Sequence, residues 1–214
     1  MSVPAFPVYL FDVDGTLTDS AQDICTAVRA SVNKLGYFPA DDFLRGYIGR
    51  HLDDLYLDLN PAFTKAEMAE MLADYRTIYH GFNHVNTRVY PGVAEALSQL
   101  GGRKSTATTK GTPTTRIVLE LFGLLPYFDH VQGTDGFPAK PQPDVIVKSL
   151  EFFGAEPSQC LMVGDSPADM EAGRSAGVKI CAVRYGYGDV EQMARFEPDY
   201  WIDDLRELLP GDGV

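Results

Sequence analysis

Two aspartates separated by one residue lie in Phe11-Asp-Val-Asp-Gly-Thr-Leu-Thr-Asp19, and a second acidic pair, Asp165 and Asp169, closes Leu161-Met-Val-Gly-Asp-Ser-Pro-Ala-Asp169. In an extended chain, residues i and i+2 sit on one side roughly 6 to 7 Å apart, so Asp12 and Asp14 can flank one reacting group. Gly15 permits a tight departure of the chain, and Thr16 can hydrogen-bond the turn it sits in. The plain alternative is a strand ending in a solvated Asp-Gly turn. Asp165 follows an apolar run, with Asp169 four residues on near a helix start, and hard oxygen ligands of this kind suit Mg²⁺.

Two further segments carry suitable chemistry. In Thr108-Thr109-Lys110-Gly111, a hydroxyl and backbone N–H groups near a helix start can hold a phosphate. In Ala139-Lys140-Pro141-Gln142-Pro143, Pro141 biases Lys140 to an extended conformation, and Pro143 suits the first turn of the next helix.

The elements that must position these residues follow from periodicity. The run Val8-Tyr-Leu-Phe11 reads as a buried strand ending at Asp12. Ile24, Val28, Val32 and Leu35 then recur at helical spacing, with Ser20 and Asp23 placed as a capping box and Gly36 as the stop. Thr64 and Glu67 repeat the box before Met68, Leu72, Tyr75 and Tyr79, and no strand pattern lies between the two helices. Residues 18–85 are therefore expected to form a small all-helical unit, inserted into a core of residues 1–17 and 86–214. From Tyr90 the pattern alternates helix and strand: Pro91 suits a helix first turn, and further helices start near Pro113, Pro143 and Pro167. Cys160–Val163 and Val178–Val183 read as strands, whereas Lys104-Ser-Thr-Ala107 is too polar for a clear strand. The economical account is an α/β fold with a doubly wound parallel sheet, in which ligands bind beyond the carboxyl ends of the strands.

Composition narrows the function. The 214 residues are 45% hydrophobic and 22% charged, enough for a sizeable core. With 18 basic and 30 acidic residues, the net charge of -12 disfavours phosphate backbones and anionic membranes, so neither nucleic acid nor membrane is an expected partner. Cys25, Cys160 and Cys181 lack paired spacing and read as reduced and structural, which makes the cytoplasm the default location. No apolar run approaches the roughly 20 residues of a membrane span, and the first residues lack a basic start, a long apolar stretch and a cleavage site. A soluble, unprocessed protein is expected; a monomer and a homodimer both stay open.

Taken in order, FDVDGTLTD, the Thr of TTK, the Lys of KPQP and GDSPAD resemble the four motifs of the haloacid dehalogenase superfamily. The resemblance extends through YPGV, AGRSAGV and the final PDYWIDDLRELLP, and it is nearest to the phosphoglycolate phosphatase-like branch. It implies a helical cap at 18–85 and hydrolysis of a small metabolite's phosphate monoester. Asp12 would take the phosphoryl group as an aspartyl phosphate, and Asp14 would serve as general acid and base. Mg²⁺ would be held by Asp12, the backbone carbonyl of Asp14 and Asp165, with Asp169 orienting the surroundings; Thr108, the Thr109 backbone and Lys140 would hold the phosphate.

Some alternatives stay open. Thr106 and Thr109 rival Thr108, since this chain has Thr109 where the family often has Asn. In Arg45-Gly-Tyr-Ile-Gly-Arg50-His51, Arg50 either pairs with a second anionic group of the substrate or, with His51, faces solvent. His80 and His84 have metal-binding spacing on a helix but no third ligand nearby. A β-phosphoglucomutase-like isomerase could use the same aspartates, and a phosphate-binding protein could share the fold. Asp14 argues against a dehalogenase or a phosphonate hydrolase, for which Lys34 would be a weak amine candidate.

Overall fold

The computed structural model describes residues 2–82 and 84–210. In chain order its strands are β1 (Val8–Phe11), β2 (Thr18–Asp19), β3 (Arg88–Val89), β4 (Arg103–Thr106), β5 (Cys160–Gly164), β6 (Lys179–Val183) and β7 (Tyr200–Ile202). The α-helices are α1 (Ala21–Asn33), α2 (Asp41–Arg45), α3 (Leu52–Leu59), α4 (Lys65–Gly81), α5 (Val93–Gln99), α6 (Thr112–Leu121), α7 (Asp144–Phe153), α8 (Pro167–Ala176) and α9 (Val190–Ala194).

Five strands form one parallel sheet in the order β4-β1-β5-β6-β7. Val8 pairs with Arg103 on one side and Cys160 on the other, so β1 lies inside the sheet with all four residues buried. An uninterrupted apolar run is what a strand covered on both faces requires. The chain passes from β1 to β4 on one flank and then to β5 on the other. That reversal of strand order opens a crevice at the carboxyl end of β1, where such sheets bind ligands. Val8, Leu10, Cys160, Met162, Ile180 and Ala182 share one core with Val145, Ile146 and Met170 from α7 and α8.

β4 is a strand despite its polar sequence. Asp129 accepts the Lys104 N–H at 2.8 Å, Ser105 Oγ meets His130 Nδ1 at 3.1 Å, and Thr106 Oγ1 donates to Gln132 O at 2.9 Å. Residues 129–132 thus satisfy the buried polar groups of this edge strand, which removes the cost of burying them.

Contacts divide the chain into two compact units, Met1–Asp19 with Val89–Val214, and Ser20–Arg88. These bounds fall two to three residues beyond the expected 17/18 and 85/86, because the short strands β2 and β3 pair with each other. In the second unit, Thr64 and Glu67 form the expected capping box. Ser20 makes no side-chain cap bond. Asp23 instead accepts from Asn86 N, Asn86 Nδ2, Thr87 N and Thr87 Oγ1, at 2.7–3.1 Å for the best of each. A carboxylate with four donors from a returning chain has no reason to serve its own helix. Leu35 lies past the end of α1 and is half exposed, so the apolar stripe stops at Val32. Pro91 is likewise outside α5, whose N-cap is Gly92 in the left-handed region.

Candidate active site

Asp12, Thr108 and Asp165 each follow one of three adjacent strands. Asp12 N donates to Val163 O at 2.9 Å, and Ala107 N donates to Phe11 O at 2.8 Å, extending the ladders as far as the residues that carry the chemistry. Past Asp14 the chain turns sharply, with Gly15 N donating to Thr18 O at 2.8 Å. Gly15 has φ +94°, and a Cβ there would strike the Asp165 carboxylate, so both the turn and the close approach require glycine.

The acids occupy distinct hydrogen-bonding positions. Lys140 Nζ lies 2.8 Å from Asp12 Oδ1 and 2.5 Å from Asp169 Oδ1, with 1% of the lysine side chain exposed. The other oxygen of Asp169 accepts from Ser166 N at 3.0 Å and Ser166 Oγ at 2.6 Å, closing the capping box of α8. Asp165 Oδ1 accepts from Thr16 Oγ1 at 2.9 Å and its Oδ2 from Tyr187 N at 2.8 Å. Asp14 Oδ2 lies 3.1 Å from Lys110 Nζ. Thr108 is buried, and its Oγ1 accepts from Lys110 N at 3.3 Å.

The site therefore holds four buried carboxylates, Asp12, Asp14, Asp165 and Asp169, and two ammonium groups, of which Lys110 pairs with Asp14 and Lys140 with Asp12 and Asp169. Burial pushes Asp12 up to about 6 against the pull of Lys140. Asp165 is raised well above the usual carboxylate range by burial, then by the charges of Asp169 and Asp12. Burial alone would lower Lys140, yet the charges of Asp12 and Asp169 hold it above its ordinary value.

This donor set fits a divalent cation. One oxygen each from Asp12, Asp165 and Asp169 can be chosen so that all lie within 4.8 Å of one another, all three residues are buried, and the excess of two negative charges is what such an ion neutralises. Asp169 gives one oxygen to the Lys140 ammonium and takes two bonds from Ser166 on the other, whereas Asp165 accepts only single bonds from neutral donors and Asp12 meets Lys140 through one oxygen, so Asp12 and Asp165 are the better ligands.

Other expected residues are placed elsewhere. Thr106 Oγ1 both donates to Gln132 O and accepts from Gln132 N at 2.9 Å, so its hydroxyl serves the fold. At the start of α6 the Thr112 N–H is taken by the Asp135 carboxylate at 3.1 Å, so that amide is not a phosphate donor here. In the helical unit, Arg50 pairs with Asp54 at 3.4 Å and lies over the Tyr47 ring, 4.6 Å from its centroid. His51 caps α3 by accepting from Asp53 N at 3.3 Å, and Lys34 pairs with Asp74 at 2.7 Å. His84 lies beyond the end of α4, with φ 53° and its ring edge-on to Tyr79, so the helical His80–His84 spacing is not realised. All three cysteines are free and buried.

Three contributions escaped the sequence reading: the Thr16 bond to Asp165 in place of its own turn, the Tyr187 amide on Asp165, and the Lys110 pairing with Asp14. The middle one had a signal in Tyr185-Gly-Tyr-Gly-Asp189, a turn-rich run after β6. A Cβ on Gly186 or Gly188 would collide with Asp165.

The structure thus presents a parallel α/β sheet that gathers paired carboxylates and buried lysines in one crevice. Residues 9–183 match the family model described as haloacid dehalogenase-like hydrolase, and the chain belongs to that family. It is 36% identical over 209 residues to a phosphoglycolate phosphatase of Aquifex aeolicus, covering 94% of each chain. It is 35% identical to a protein of Caldanaerobacter subterraneus whose name assigns it provisionally as the pyrophosphatase PpaX, covering 94% of this chain and 91% of that one. Among solved structures, a haloacid dehalogenase-like family hydrolase from Streptococcus pneumoniae superposes with a TM-score of 0.84 at 26% identity, covering 95% and 96% of the two chains. Among the described residues, no helix is long and apolar enough to cross a membrane.

Proposed function

We propose that the protein is a cytoplasmic Mg²⁺-dependent phosphatase that hydrolyses the phosphate monoester of a small metabolite, with phosphoglycolate the first candidate. The observation that carries this reading is the division of labour between Asp12 and Asp14. Two carboxylates from one turn face different ammonium groups, Lys140 at 2.8 Å and Lys110 at 3.1 Å, which equips them for different roles.

Asp12 is the nucleophile. Its carboxylate oxygen attacks phosphorus, the bond to the ester oxygen breaks, and the phosphoryl group rests on Asp12 as an acyl phosphate. Asp14 gives a proton to the departing oxygen, then removes one from the water that cleaves the intermediate. Lys140, the Thr108 hydroxyl and the Thr109 N–H hold the phosphoryl oxygens as charge shifts between them. Asp12, Asp165 and the Asp14 carbonyl would hold Mg²⁺, which supplies positive charge that lets an anionic phosphate approach an anionic carboxylate. Asp169 keeps Lys140 oriented. Arg50 is a specificity candidate on its sequence position alone.

The test is phosphate release from phosphoglycolate, p-nitrophenyl phosphate, β-glucose 1-phosphate and pyrophosphate, with Mg²⁺ and with EDTA. EDTA-sensitive release that Asp12→Asn lowers by about 10³-fold or more is the expected result. A protein that turns over nothing on this panel, yet binds phosphate, would overturn it. Conversion of the sugar phosphate only with a bisphosphate primer would replace it with a mutase.

A further inference from the structure

We propose that Lys110 sets the charge of the leaving group this site accepts, selecting monoesters whose departing fragment carries its own anion beside the ester oxygen. The proposal rests on the phosphatase reading above and names the substrate class of that site. It locates a specificity determinant in the sheet-bearing unit, on the loop between β4 and α6.

The two buried lysines are not equivalent. Lys140 lies within reach of both Asp12 and Asp169, the first of which is the carboxylate assigned the phosphoryl group. Lys110 lies against Asp14 Oδ2 at 3.1 Å, with 7% of its side chain exposed and 10% of that of Asp14. Asp14 is the carboxyl assigned to the leaving oxygen. A cation against it is therefore a cation at the leaving group.

A neutral alcohol needs no such partner, since its oxygen departs with a proton from Asp14. A leaving group with a carboxylate or second phosphate adjacent to that oxygen brings a negative charge toward Asp14, in a protein of net charge -12. An ammonium has three N–H donors and can bridge Asp14 and such an anion at once, which a hydroxyl or amide cannot match in charge. The same group that steadies Asp14 thereby becomes the recognition element for an anionic leaving fragment. Lys110 is also fixed in place: its N–H donates to Thr108 Oγ1, and its carbonyl accepts from Thr134 N at 3.1 Å.

A matched substrate pair separates recognition from support of Asp14. Phosphoglycolate and 2-hydroxyethyl phosphate share an ester geometry and differ in the terminal carboxylate. Wild-type enzyme should prefer phosphoglycolate in kcat/KM. In Lys110→Met that preference should fall at least tenfold, mostly through KM, whereas Lys110→Arg, which keeps the charge, should retain part of it. Equal losses on both esters would mean that Lys110 only holds Asp14, and would overturn the assignment while leaving the phosphatase intact. A wild-type enzyme with no preference would overturn it without any variant. Turnover of neither ester or any other monoester would remove the phosphatase reading itself.

Discussion

Lys140 and Asp12 meet at 2.8 Å with 1% and 3% of their side chains exposed, so the carboxylate assigned the attack is also half of a buried ion pair. Lys140 holds Asp169 as well, at 2.5 Å. Lys140→Met leaves both acids without their cation. Removing one partner of a buried pair costs about 3–5 kcal/mol, and urea denaturation should show a loss of that order beside a loss of activity. Added Mg²⁺ should restore part of the stability, because it supplies charge to the same acids.

Metal should stabilise the fold as well as activate it. The site carries two more carboxylates than ammonium groups, so a divalent ion relieves repulsion in the native state only. Mg²⁺ at a hundred times its Kd stabilises by about 2.7 kcal/mol, read as an upward shift in Tm of several degrees that EDTA reverses. Asp165→Asn should abolish the shift and leave the metal-free Tm level or higher, since it removes one of the unpaired charges. A full Mg²⁺ shift in that variant would exclude Asp165 as a ligand.

Thr106 and Thr108 should separate into structure and chemistry. Thr106→Val strands the Gln132 N–H and C=O, costing about 1–3 kcal/mol by denaturation with kcat/KM nearly unchanged. Thr108→Ala should do the reverse, lowering kcat/KM by about 10- to 100-fold with little change in Tm. An exchange of these outcomes would make Thr106 the phosphate ligand.

Asp23 gives the helical unit an acid-sensitive tie. Burial alone would raise its pKa, but hydrogen bonds from Thr87 and Asn86 outweigh that and hold it below the usual carboxylate value. A depressed native pKa means the ionised form is preferred in the fold. Its stabilisation is complete above the unfolded pKa of about 3.9 and is lost as pH falls through the lower native value. Asp23→Asn should cost about 1.5–3 kcal/mol at neutral pH, and the gap from wild type should close below about pH 4 in a denaturation series. A gap independent of pH would point to shape alone.

The parts of the fold legible beforehand were those written in local pattern. β1, β5 and β6 are apolar runs bounded by turns, and Asp12, Asp14, Asp165 and Lys140 follow from motif position. What was hidden depends on distant partners. β4 reads as too polar for a clear strand because nothing near Lys104–Thr106 reveals that residues 129–132 will satisfy its polar groups. Asp23 reads as a helix cap because Asn86 and Thr87 lie 63 and 64 residues away. Thr16 and Tyr187 bond Asp165 across 149 and 22 residues, contacts that exist only once the strands are side by side.

The placement of β1 between β4 and β5 also orders events during synthesis. Asp12 leaves the ribosome early, yet its strand has no neighbour until Arg103 can pair with Val8 and is flanked on both sides only once Cys160 has followed. The helical residues 20–88 are complete before either neighbour emerges, so they can condense while β1 still waits. A nascent chain released before residue 160 would leave at least the β5-facing edge of Val8–Phe11, four residues that the finished protein buries, unpaired. Chaperone capture of stalled chains should therefore fall sharply once β5 has emerged.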